Sequence, residues 1–189
     1  MSDIVEFGIT PLETQNLLLR KLKMSDVQDV FEYASDPEVT KYTFWHTHTS
    51  IEDSKKFISW LTGDHVACWA IVLKENMKVI GTCFFHSFDL AQKKAEVAFN
   101  LSRKYWNQGF ATEAAKKVVL HGFKTWKLNK IEGTCMIDNI ASVRVLEKIG
   151  MTYQRTLRKS RQKNGIFYSL KLYSILASDV KSLVQSPEY

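Results

Sequence analysis

The chain has 189 residues, 45% of them hydrophobic and 24% charged, which suits a folded protein with a real core and excludes a disordered one. Its 26 basic and 20 acidic residues leave a net charge of +6. That sign favours an anionic partner without choosing among nucleic acid, a phosphorylated cofactor and an acidic protein. No apolar run approaches the ~20 residues that span a bilayer, so a membrane role is not expected.

The amino-terminal "MSDIVEF" has no basic segment followed by an apolar core, so no secretory signal is expected. "NLLLRKLKM" (16–24) reads as a strand. Ser25 with Gln28 has the spacing of a capping box, and Val27, Val30, Phe31 and Ala34 keep helical spacing until Asp36-Pro37 stops it. "KYTFWHTHT" is aromatic and irregular. Ser50 with Asp53 opens a second helix, in which Ile51, Phe57, Ile58 and Leu61 share a face. "VACWAIVL" and "KVIGTCFFHSF" form a hairpin about the turn "KENM", and "KKAEVAFNLS" (93–102) is the next strand. A helix over about 109–126, the strand "NKIEGTCMI", a helix over about 139–149 and a strand from Met151 follow. "QKNG" turns into the strand "IFYSLKLYSIL", and "ASDVKSLVQ" suits a short last helix. There is no linker, repeat or low-complexity block. The fold class is therefore α+β (mixed α/β): one domain over 1–189, core about 16–176, with a single central, mostly antiparallel sheet flanked by helices.

Cys68, Cys83 and Cys135 each sit in an apolar run with no CxxC spacing, as buried reduced thiols of a cytoplasmic protein would. The most informative stretch is "YWNQGFATEAAKK" (105–117), where turn chemistry runs into a strong helix. A helix start presents unpaired N–H groups and the positive end of the macrodipole. Gly109 and Ala111 let that backbone close on phosphate oxygens, Asn107, Gln108 and Thr112 add donors, and Arg103 adds charge. Equally, Gly109 could simply turn the chain into a capped helix. No GxxxxGK[ST] or GxGxxG is present, which argues against a P-loop nucleotidase or a dinucleotide dehydrogenase.

"AEVAFNLS", "YWNQGFATEA" and "DNIASVRVLEKIGM", in this order, resemble the Gcn5-related N-acetyltransferase (GNAT) superfamily, and within it the ribosomal-protein-alanine (Rim-type) branch. The family loop R/Q-x-x-G-x-G/A is matched by Trp106, Gly109 and Ala111. Tryptophan departs from the superfamily pattern but is usual in the Rim-type branch. N-x-x-S-x-x-x-x-E-K-x-G is matched by Asn139, Ser142, Glu147, Lys148 and Gly150.

The resemblance implies a splayed sheet whose gap takes the pantetheine arm of acetyl-CoA, as co-substrate, against Phe99, Asn100 and Leu101. The pyrophosphate would lie on the N–H groups from Asn107 through Gln108, Gly109, Phe110 and Ala111 to Thr112, and Asn139 would bond the pantetheine or cap its helix. The implied reaction is acetyl transfer to a primary amine, on a protein N-terminus or a small molecule. Glu96 is the candidate base and Ser142 a candidate partner of the thiol. Many relatives carry a tyrosine acid where this chain has Leu146, which leaves Tyr153 as a substitute.

Tyr42, Phe44 and Trp45 border the acceptor side in the resembling family. His46 and His48 lack the further ligands a metal needs, so no metal is expected, and His65, His86 and His121 show no constellation. Glu113, Lys116 and Lys117 read as a solvated helix face. The densest basic run, "LRKSRQK" (157–163), is too short for a nucleic-acid arm, and its charge suits an acidic or carboxylate-bearing acceptor. A non-catalytic acyl-CoA-binding module is the alternative, supported by the missing tyrosine. The acceptor and the oligomeric state stay open, a homodimer being only a family habit.

Overall fold

The computed structural model describes residues 8–180. In chain order the elements are β1 (Leu12–Glu13), β2 (Leu17–Lys21), α1 (Val27–Ala34), α2 (Pro37–Thr40), α3 (Ile51–Leu61), β3 (Ala67–Leu73), β4 (Lys78–Asp89) and β5 (Lys94–Leu101). Then come α4 (Phe110–Lys124), β6 (Lys130–Met136), α5 (Ile140–Lys148), β7 (Thr152–Lys163) and β8 (Ile166–Leu176). The strands make one sheet in the order β1-β2-β3-β4-β5-β6-β8-β7. Every pairing is antiparallel except β5 with β6. This is the mixed, mostly antiparallel architecture that the sequence predicts. The amino-terminal heptapeptide lies outside the described residues, as does the expected last helix from Lys181 onward; its start, Ala177–Asp179, is a short 3-10 turn.

Local chemistry departs from expectation at two places. The Ser25–Gln28 box does not start α1. Asp26 closes a 3-10 turn instead, its carboxylate accepting the Lys23 N–H at 2.9 Å and two bonds from the Arg20 guanidinium at 2.8 Å. A charged, bidentate acceptor outcompetes a serine hydroxyl there. Pro37 stops α1 but also opens α2, because a proline at the first helical position loses no bond and Asp36 caps the Glu38 N–H at 3.0 Å. The Ser50–Asp53 box at α3 forms in both directions.

All seven residues of β3 are buried, so both faces of the sheet are covered there. Period-two alternation divides them. Ala67, Trp69, Ile71 and Leu73 join Ala114, Ala115, Val118 and Val119 of α4 and Val143 and Leu146 of α5. Cys68, Ala70 and Val72 join Val30 and Tyr33 of α1 and Phe57, Ile58 and Leu61 of α3. The three cysteines are free and buried. His121 packs edge-on against the rings of Trp69 and Trp126, which also touch each other.

Candidate active site

Two strands that begin as neighbours part company. β5 pairs with β6 only at Lys94↔Lys130, Ala95↔Ile131 and Glu96↔Glu132, yet it stays on β4 as far as Gly81↔Leu101. Beyond Glu96 its β6-side backbone edge is therefore open. Gly81 permits that course: a Cβ there would stand 2.2 Å from the Asn100 carbonyl oxygen. The gap widens into a cleft of about 760 Å³, lined by Val97–Leu101 of β5, Thr134–Met136 of β6 and the first turns of α4 and α5. That volume falls in the range of ligand sites.

At the head of the gap the chain uses two left-handed residues, Asn107 (φ 61°) and Gly109 (φ 86°), to swing into α4. A Cβ on Gly109 would meet nothing within 4 Å, so the backbone there faces open space. The first helical bond runs from the Glu113 N–H to the Gly109 carbonyl at 3.0 Å. The N–H groups of Phe110, Ala111 and Thr112 lie ahead of it and have no acceptor within the helix. The Trp106 indole donates to the Leu101 carbonyl at 2.8 Å, tying this loop to the strand. Glu113 is not simply a solvated charge: its carboxylate accepts from the Asn16 backbone at 2.8 Å and side chain at 3.0 Å, anchoring α4 to the start of β2.

Asn139 caps α5, accepting the Ser142 N–H at 3.2 Å and donating to the Ser142 hydroxyl at 2.9 Å. Because that hydroxyl oxygen accepts, its own proton is free for another partner. Glu96 stands where the strands divide. The Thr134 hydroxyl donates to its carboxylate, and an Arg161 nitrogen lies 3.9 Å away. His86 is its cross-strand partner on β4. Burial pushes the His86 imidazole below its ordinary value, Glu96 pulls it back and Arg161 pushes it down again. The Arg161 guanidinium lies over the Phe44 ring, 5.3 Å from its centre.

The cleft brings together Glu96, Phe99, Asn100, Leu101, Asn107, Gly109, Phe110, Ala111, Thr112, Asn139 and Ser142, with Tyr42, Phe44 and Trp45 on its lip. Arg103 and Gln108 are not among its lining residues: Arg103 pairs with Asp36 at 2.8 Å, and the Gln108 amide donates to the Lys104 carbonyl at 3.1 Å. Tyr153 is also elsewhere, exposed and bonded to Thr156, while Leu146 is buried and adds an apolar side chain to the cleft wall. His48 is a core residue, bonded to Ser54 at 2.8 Å, tilted against the Trp45 ring and edge-on to Phe57. Among the described residues no group of three or more His, Cys, Asp or Glu could hold a metal. Sequence reasoning gave no place in the cleft to His86, Thr134 or Arg144, and took Lys148 only as a motif match and Arg161 only as part of a basic run, yet all five line it. Only the pairing register brings His86 and Thr134 to Glu96, and no local spacing signals it.

A family model described as "Acetyltransferase (GNAT) domain" matches residues 16–152. The uncharacterized N-acetyltransferase YnaD of Bacillus subtilis is 32% identical over 168 residues, covering 89% of this chain and 98% of the relative. The crystal structure of a GNAT-family acetyltransferase from Bacillus anthracis superposes with a TM-score of 0.82 at 30% identity, over 89% of this chain and 99% of that one. RimL, a ribosomal L7/L12 α-N-protein acetyltransferase solved with coenzyme A, shares the fold: TM-score 0.79, 16% identity, 88% of this chain and 98% of that one.

Proposed function

The chain belongs to the GNAT family of N-acetyltransferases, and on that premise we propose that it moves the acetyl group of acetyl-CoA to a primary amine in one direct step. The observation that carries this reading is the open edge of β5 beside the unpaired N–H groups of Phe110, Ala111 and Thr112. A diphosphate fits those donors and the helix dipole behind them, with the bare face of Gly109 turned to open space. Arg144 and Lys148, one turn apart on the cleft side of α5, add positive charge. The free edge of β5 suits the amides of a pantetheine arm, as a further strand would.

Bound acetyl-CoA supplies an activated thioester. Around it the protein binds, orients and moves protons. Glu96 accepts the proton that the amine loses as the C–N bond forms and the C–S bond breaks. His86, whose imidazole burial pushes below its ordinary value, stands beside Glu96 to pass that proton on. The Ser142 hydroxyl, oriented by Asn139, donates toward the departing sulfur. Tyr42, Phe44 and Trp45 shape the acceptor entrance.

Thiol release from acetyl-CoA over a panel of amines and N-terminal peptides tests this reading, with coenzyme A binding by calorimetry in parallel. Wild type should turn over at least one acceptor, and Gly109→Glu should lose binding and turnover together while keeping a cooperative thermal transition, lowered because φ 86° strains any side chain there. A non-catalytic acyl-CoA-binding module draws support from Leu146 at the tyrosine position and from Tyr153 standing off the cleft. Binding without turnover across the panel would favour it, and binding unchanged by Gly109→Glu would remove the phosphate cradle.

A further inference from the structure

Between Thr152 and Leu176, the whole of the β7–β8 hairpin, the chain carries six cations and no carboxylate: Arg155, Arg158, Lys159, Arg161, Lys163 and Lys171. β7 ends the sheet, and every one of its residues but Leu157 and Lys163 is exposed. Among the described residues no carboxylate pairs with any of these cations except Glu96, which Arg161 approaches only to 3.9 Å. In a chain of net charge +6 such a strip attracts a partner of opposite sign.

The strip leads to the acceptor entrance. At its inner end Arg161 lies over Phe44, and the Lys163 ammonium donates to the Thr40 carbonyl at 2.8 Å, so the hairpin closes one side of the cleft mouth. From there Lys159, Arg158 and Arg155 follow along β7; because that strand bulges, Arg161 to Arg155 lie opposite only Tyr168 to Leu172 of β8, roughly 13 Å of strand. Lys159 sits in a bulge with φ 46°, its N–H donated to the Ser169 hydroxyl at 3.0 Å. Lysines and bulges on an edge keep it from pairing with copies of itself, and like charge repels a second β7. An acidic strand is not repelled.

We infer that the acceptor is an acidic polypeptide whose amino terminus enters beside Glu96 and whose next residues lie along Arg161, Lys159, Arg158 and Arg155. This rests on the amine-acetylation reading and names the substrate class of the same site. A chain entering amine-first runs antiparallel to β7, so its acidic side chains pass these cations in turn.

The test uses three fluorescein-labelled octapeptides with a common Ala-Ser amino terminus and glutamate, glutamine or lysine at the following positions. Anisotropy on the full chain reads binding without requiring transfer, and thiol release reads transfer. The glutamate peptide should bind at least about tenfold tighter than the glutamine one, and this preference should shrink between roughly 50 and 500 mM salt, because added ions screen exposed charges. R155Q/R158Q/K159Q should abolish the preference while coenzyme A affinity stays, and R155E/R158E/K159E should turn it toward the lysine peptide. Equal binding of the three peptides overturns the inference whether or not thiol is released. So does tighter binding of a uridine oligonucleotide that depends on the same three residues, which would make the strip a nucleic-acid surface. A glutamate preference in binding with no thiol release from any amine would keep the docking strip and remove the transferase reading instead.

Discussion

Glu96 gathers three residues from three strands: His86 across β4, Thr134 from β6 and Arg161 from β7. Glu96→Gln should lower kcat by about a hundredfold or more, as loss of a general base does, with coenzyme A binding retained. Steady-state kinetics and calorimetry on one preparation read both. His86→Gln should cost less in rate but should move the acid limb of the kcat/KM profile, because the imidazole it removes is held below its ordinary value by burial. An unshifted profile would leave His86 as packing alone. At α5, Asn139→Ala removes the cap and the donor to Ser142 together. A chemical melt should show a loss of about 1 kcal/mol, and turnover should fall further than Ser142→Thr, which keeps a hydroxyl.

At the scale of elements, the gap between β5 and β6 depends on how the strands are held on their other sides. Gly81→Ala would force a methyl carbon against the Asn100 carbonyl, where neither backbone can yield without breaking the β4–β5 ladder. We expect a fall in melting temperature of several degrees and weaker coenzyme A binding, whereas Gly165→Ala in the β7–β8 turn should spare binding. Coenzyme A affinity equal to wild type in folded Gly81→Ala would mean that the open edge of β5 does not hold the ligand. Glu113 acts at the same scale: the α4 amino terminus is aimed at the cleft partly because this carboxylate is bonded to Asn16, 97 residues away in sequence.

For the whole molecule, His48, His86 and His121 are each pushed below the ordinary imidazole value, burial being the first cause in all three. The unfolded chain then binds more protons than the folded one between the folded values and about 6.5. Their contribution is complete above about pH 6.5 and is lost as the pH falls through the folded values. The melting temperature should therefore drop between pH 7 and pH 5, and His121→Gln should flatten that drop; a pH-independent melt would show that these rings charge freely in the fold. Much of the architecture was legible without coordinates, because strand and helix periods, the Ser50 box, the Asn164-Gly165 turn and the Gly109 loop are local signals whose physics acts within a few residues. The family resemblance named the cleft lining, and the hydrogen-bonded start of α5 follows from Asn139 and Ser142 three residues apart. The start of α1 was misread because Asp26 is recruited by Arg20, a partner outside the capping-box spacing. Arg103 and Gln108 are adjacent to the loop in sequence, yet ordinary ion pairing and a backbone carbonyl turn them from the cleft. His86, Thr134 and Arg161 meet Glu96 only through strand register and the return of the hairpin. Sequence alone thus determined the elements and the helix start that faces the cleft, since both depend on neighbours along the chain, whereas tertiary structure decided which side chains surround the reacting position, since those come from β4, β5, β6 and β7 and are neighbours only in space.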